Sequence, residues 1–140
     1  MLNKVYLEFK DIYQNAQYVV LSSPSIEFSI GQRSTPLDQL LTQYQQSTAC
    51  FITACNPWGK DLGKDMNHAK MAQLEKDLIK TGLPYLIAFG SNSEGTWKEE
   101  SFLIIGVDKQ VASQLGRQYE QNAIIWVVKE QVPELIWLIE

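Results

Sequence analysis

Three runs of strand length, "PYLIAFG" (84–90), "SFLIIGV" (101–107) and "NAIIWVV" (122–128), are apolar at successive positions rather than at alternate ones. A strand with water on one face alternates, so a continuous apolar run asks for cover on both faces. These runs predict strands at the centre of a sheet, with helices packed against it.

The rest of the chain supplies the helices and the flanking strands. Leu2, Val5, Phe9 and Ile12 fall at helical spacing and predict a helix over residues 2 to 14. "QYVVLS" and "IEFSI" predict a hairpin across Ser22-Ser23-Pro24-Ser25, its second strand stopping at Gly31. "STPLDQLLTQYQQ" reads as a helix with Ser34 or Thr35 as N-cap and Pro36 in its first position. A buried strand in "CFITAC" then leads through a loop over 56–65 to a helix of about 66–80 that Gly82 stops. Asp108 caps a further helix with Val111, Leu115 and Tyr119 on one face, and "ELIWLIE" closes the chain as a strand. The order α-β-β-α-β-α-β-β-α-β-β contains no repeat and no linker, so residues 1–140 read as one domain. The expected class is α+β (α/β-like), a mixed central sheet of about six to seven strands flanked by about three to four helices, because β-α-β steps invite parallel crossovers.

Composition narrows the function classes. A net charge of −4 disfavours nucleic acid, which needs lysine and arginine concentrated against phosphates. No run approaches the ~20 apolar residues of a membrane span and the start lacks a signal-peptide core, so a cytoplasmic protein without a membrane partner is expected. Neither G-x-G-x-x-G nor G-x-x-x-x-G-K-S/T occurs, which removes the two common phosphate-cradling loops.

Cys50 and Cys55 are the only cysteines. On one continuous strand their odd separation sends them to opposite faces, roughly 16 Å apart, too far for a disulfide or a shared metal. Two buried thiols and no metal are expected, and no cofactor is implied.

Polar residues at element ends are the candidate site. Asn56 precedes Pro57, which pushes it toward an extended conformation at the open end of the strand, where an amide can present donors and an acceptor or simply brace the turn. Asn67 heads a helical stripe with Met71, Leu74 and Leu78 and so points toward the sheet, although Asp65 as N-cap would leave Asn67 completing the first turn. Lys70 lies one turn below and can reach the same crevice or stay in solvent, while His68 reads as a surface residue. Of Glu99 and Glu100, alternation turns one carboxylate inward. Arg117 shares a polar helix side with Gln110, Gln114 and Gln121; Gln121 and Asn122, set directly against a buried strand, must find partners, as loop-fixing bonds or as ligand readers.

The pieces "FSIGQ" with "LDQLL", "FITACNP", "NHAKMAQLEKDL", "GTWKEESFLIIGV" and "LGRQYEQNAIIW" occur in that order, and with them the sequence resembles the bacterial domain-of-unknown-function family DUF3293 over nearly its whole length. The resemblance implies no assigned reaction. It places the family's motif positions on Gly31, Asn56, Pro57, Asn67, Trp97, Glu99, Ser101, Gln121 and Asn122. The family often has arginine where this chain has Lys70, so a bidentate anion clamp is not implied here.

The expected function is therefore recognition of a small polar or nucleotide-like ligand in a crevice lined by Asn56, Asn67, Lys70, Glu99, Gln121 and Asn122. The alternative is a protein-interaction or regulatory module without catalysis, anchored on the loop residues Trp58 and Trp97, with Trp126 and Trp137 in the core.

Overall fold

The computed structural model describes residues 3–139, so Leu2, which opens the first helical stripe, and Glu140 lie outside the described residues. Helix α1 (Lys4–Asn15), capped by Asn3, leads into the hairpin β1 (Gln17–Val20) and β2 (Ile26–Phe28). Helix α2 (Thr35–Gln43) starts at the Ser34 cap with Pro36 in its second position, and strand β3 (Thr48–Ile52) follows. A short 3₁₀ turn (Pro57–Gly59) precedes helix α3 (Lys64–Thr81), which ends on Gly82 at φ 73°, the left-handed stop that glycine adopts freely. Strands β4 (Tyr85–Ser91) and β5 (Lys98–Ile105), helix α4 (Lys109–Gln118), β6 (Ala123–Val128) and β7 (Glu134–Trp137) complete the order expected from the sequence.

Among the described residues the α+β class, a single seven-stranded sheet with four helices, stands, but the sheet is antiparallel throughout rather than mixed. Its strand order is β2-β1-β4-β5-β3-β6-β7. Three crossovers do join parallel strands, β2 to β3 through α2, β3 to β4 through α3 and β5 to β6 through α4. None joins neighbours: β1, β4 and β5 separate β2 from β3, β5 alone separates β3 from β4, and β3 alone separates β5 from β6. Residues 48–128 thus form a β-α-β-β-α-β split unit, to which β1, β2 and β7 add the edges.

Two apolar layers fix this arrangement. On the convex face Met71, Leu74 and Leu78 of α3 and Ala112, Leu115 and Tyr119 of α4 bury Cys50, Ile52, Ile104, Ile124 and Trp126. Val111, expected on that α4 face, is 39% exposed, and Ala112 takes its place. On the concave face Leu37, Leu40 and Leu41 of α2 pack with Phe51, Leu103, Ile105, Ile125 and Val127. The sheet curls strongly: the rings of Phe28 on β2 and Phe51 on β3 lie 5.7 Å apart although three strands separate theirs. Helix α3 reaches β4 at its first residue, where the Tyr85 hydroxyl donates to Glu75 Oε2 (2.9 Å), but Ile87 beyond it is 58% exposed, so most of "PYLIAFG" is covered on one face only, unlike the other two runs.

Strand β3 stops at Ile52, three residues before Cys55. Thr53 turns the chain by donating its hydroxyl to the Glu100 carbonyl (2.6 Å) and accepting from the Cys55 N–H (3.0 Å). Alternation ends there, so Cys55 joins Cys50 in the convex core instead of facing the other way. Both thiols are free and buried; burial pushes Cys50 far above the ordinary thiol range and Cys55 up to about 11.

Candidate functional site

The turn after β3, the head of α3 and the start of β5 converge at one end of the sheet. Along β5, alternation sends Ser101 and Leu103 into the concave interior and Phe102 and Ile104 to the helices. Glu99 therefore sits at the mouth of the concave side, while Glu100 is exposed and lies 3.8 Å from His68 Nδ1. The β4–β5 turn sets the adjacent Trp97: the Asn92 side chain accepts from the Trp97 N–H (3.1 Å), and the Asn92 N–H donates to the Trp97 carbonyl (3.2 Å).

Three sequence candidates meet in one hydrogen-bonded group. Asn56 Nδ2 donates to Glu99 Oε2 (2.9 Å), Asn67 Nδ2 donates to Asn56 Oδ1 (2.7 Å), and the Asn56 N–H donates to Asn67 Oδ1 (2.8 Å). Asn56 is not extended as Pro57 would dictate; it stands at φ 49°, ψ 62°. Asparagine tolerates the left-handed region better than most residues, and here the bonds from Asn67 and from the Leu62 N–H (3.3 Å) hold it. Gly63, not Asp65, precedes the first turn of α3, so Asn67 begins the second turn and its amide is free to reach Asn56.

Gln121 and Asn122 are buried next door, past the end of α4 rather than on its polar side. Gln121 Nε2 donates to the carbonyls of Cys55 (3.0 Å) and Tyr119 (3.2 Å), tying the β3 turn to the entry of β6. Asn122 Nδ2 donates to the Tyr13 hydroxyl (3.1 Å), and its buried Oδ1 has no partner among the described residues. Lys70 is half-buried on α3 and is not among the residues that line the cleft.

The cleft has a volume of about 1270 Å³ and runs between α1, the loop after β3, the head of α3 and the β4–β5 turn. Behind it, inside the curl, is a cavity of about 40 Å³, and Tyr13, Trp97 and Glu99 line both spaces. Tyr13 escaped sequence reasoning because it lies one position off the α1 stripe, and only the fold brings that helix over the sheet end. Phe9 and Tyr13 stack at 5.4 Å, Tyr13 also meets Trp137 at 5.6 Å, and the Tyr18 hydroxyl donates to the Tyr13 carbonyl. Trp97 is half-buried in the cleft wall, whereas Trp58 is 40% exposed and donates Nε1 to Glu120 Oε2 (2.7 Å); Trp126 is core, and Trp137 is half-buried under α1.

Electrostatics single out Glu99. Burial pushes its carboxyl up to about 7, although hydrogen bonds from Asn56 and the Trp97 indole act the other way. Among the described residues no lysine, arginine or histidine forms an ion pair with it. Tyr13 is raised to about 12, first by burial and further by the Glu99 charge, so it remains a neutral hydroxyl. Such a carboxyl can give or take a proton near neutrality, and can bind a donor or a cation in a poorly solvated place. Among the described residues no three His, Cys, Asp or Glu side chains group to hold a metal, and no helix is long and apolar enough to cross a membrane.

No curated protein and no solved structure matches the chain. One family model, described as a protein of unknown function (DUF3293), matches residues 52–124. The match runs from the end of β3 into β6 and contains Asn56, Asn67, Lys70, Glu99, Gln121 and Asn122, whereas "FSIGQ", "LDQLL" and Tyr13 lie outside it. With more than half of its length matched, the chain belongs to the DUF3293 family.

Proposed function

We propose that the cleft beside α1 binds a small polar molecule, recognised at its inner end by Glu99. The observation that carries this is one carboxyl, desolvated, without an ion-pair partner and fixed in direction by Asn56, standing where an open cleft meets an inner cavity. Burying such a group costs stability unless something compensates it, and sites that bind or react are where that cost is commonly accepted. Asn56 and Asn67 hold the carboxylate, Tyr13 and Trp97 supply walls, and Gln121 and Asn122 brace the floor from behind.

An interaction surface built on loop tryptophans is less well supported, since Trp97 is committed to the cleft wall. The test is amide chemical-shift mapping of the ¹⁵N-labelled protein against pools of small polar molecules. Perturbations clustered in residues 9–13, 56–68 and 92–100 are expected with at least one pool. Shifts confined to the surface around Trp58, or none with any pool, would contradict the proposal.

A further inference from the structure

We infer that the ligand of this cleft is cationic, an amidinium, guanidinium or ammonium group seated on Glu99 and flanked by aromatic rings. This deepens the proposal of a binding cleft and rests on it.

The first support is the charge balance of the walls. Four carboxylates line the cleft against two lysines and one histidine. One of those lysines is already engaged, for Lys98 Nζ lies 4.2 Å from the centre of the Phe89 ring. The positive end of α3 would favour an anion, but Asp65 stands in its first turn and offsets it. A phosphate-bearing ligand would therefore enter a field of its own sign, whereas a cation would be drawn in.

The second support is Glu99 itself. Its carboxylate accepts from Asn56 and Trp97, which orient it, yet among the described residues no cation forms an ion pair with it. An uncompensated carboxylate in a poorly solvated place is the group to which a complementary cation adds most, because the ligand removes a penalty already present. A planar amidinium or guanidinium also suits the two-oxygen edge of a carboxylate.

The third support is the aromatic content. Phe9, Tyr13 and Trp97 line the same cleft, and ring faces attract cations. Carboxylate and rings together form the chemistry that selects organic cations over sugars, which would ask for more free donors and acceptors than this wall leaves. The Asn56 and Asn67 amides are largely spent on each other and on Glu99.

Binding needs Glu99 ionised, so affinity rises with pH across neutrality. The titratable and charged groups that share the cleft or the inner cavity with it are Tyr13 from α1, Tyr18 from β1, Cys55 and Asp61 after β3, Lys64, Asp65 and His68 from α3, and Lys98 and Glu100 on its own strand. Burial raises Tyr13, Tyr18 and Cys55 far above neutrality, and the Glu99 charge adds to each, so they stay neutral in this window. His68 lines the same cleft, so a His68→Gln variant separates its contribution.

The experiment titrates the wild-type protein with benzamidine, benzamide and benzoate, three probes of nearly one shape carrying positive, zero and negative charge. Dissociation constants are read from amide shifts at pH 6 and pH 8, at low ionic strength. Benzamidine is expected to bind at least about tenfold more tightly than benzamide, with benzoate weakest, and to gain up to about tenfold from pH 6 to pH 8 as Glu99 ionises. The gain is retained in His68→Gln and lost in Glu99→Gln, while Glu27→Gln, on β2 outside the cleft, changes affinity by less than about twofold. If benzamide or benzoate binds as well as benzamidine, with shifts in the cleft, the cationic assignment is overturned and the cleft remains a binding site. If none of the three perturbs the cleft while another molecule from the pools does, the cationic assignment again fails. If nothing perturbs it, both inferences fall together. The wild-type comparison requires no variant to fold.

Discussion

Asn67 makes two bonds to one residue, accepting from the Asn56 N–H and donating to its side-chain oxygen, and through Asn56 it fixes Glu99. Its inward direction was legible from the stripe it shares with Met71, Leu74 and Leu78, all three of them buried. The inward turn of one acid in the Glu99–Glu100 pair was legible from strand alternation. The left-handed backbone of Asn56 was not, because local preference before proline opposes it and its partner comes from eleven residues away. Removing the Asn67 amide leaves the Asn56 N–H without its acceptor and its Oδ1 with only the longer bond from the Leu62 N–H (3.3 Å). Asn67→Ala is expected to lower unfolding free energy by about 1–3 kcal/mol in urea denaturation. A change below about 0.5 kcal/mol would show that these bonds do not hold the turn.

Among the elements, α1 stands apart. It has no buried residue and rests on the fold through rings, Tyr6 and Tyr13 on Trp137 and Phe9 beside Gly59. Its helical character was plain in the sequence, but its position was not, because aromatic contacts at a sheet end leave no periodic signature. Gly59 is needed twice over: its φ is 77°, and a Cβ there would run into the Phe9 ring. Gly59→Ala is therefore expected to release α1, raising hydrogen exchange in residues 4–15 while β3 and β5 keep their protection. Unchanged exchange in α1 would mean that its docking does not depend on this contact. The interleaving of β5 between β3 and β4 escaped the sequence for a different reason: a crossover declares two strands parallel without declaring them neighbours.

At the scale of the whole molecule, the curled antiparallel sheet holds a half-buried carboxyl at its mouth, and its loss of solvent makes global stability depend on pH. Glu99 sits at about 7 in the folded chain against an ordinary value of 4.5, so the folded state holds its proton more tightly than the unfolded state does. The associated stability is fully present below about pH 4.5 and is lost as pH rises through about 7, some 3 kcal/mol in all. Glutamine at this position keeps an oxygen for Asn56 Nδ2 and carries no charge at any pH. The most direct test is therefore urea unfolding of the wild type and Glu99→Gln at about pH 5 and pH 8.5. The variant is expected to gain about 2–3 kcal/mol relative to the wild type between those two conditions. Parallel behaviour of the two proteins would contradict the account, for it would mean that Glu99 ionises as a solvated carboxylate and that the cleft holds no uncompensated charge for a ligand to meet.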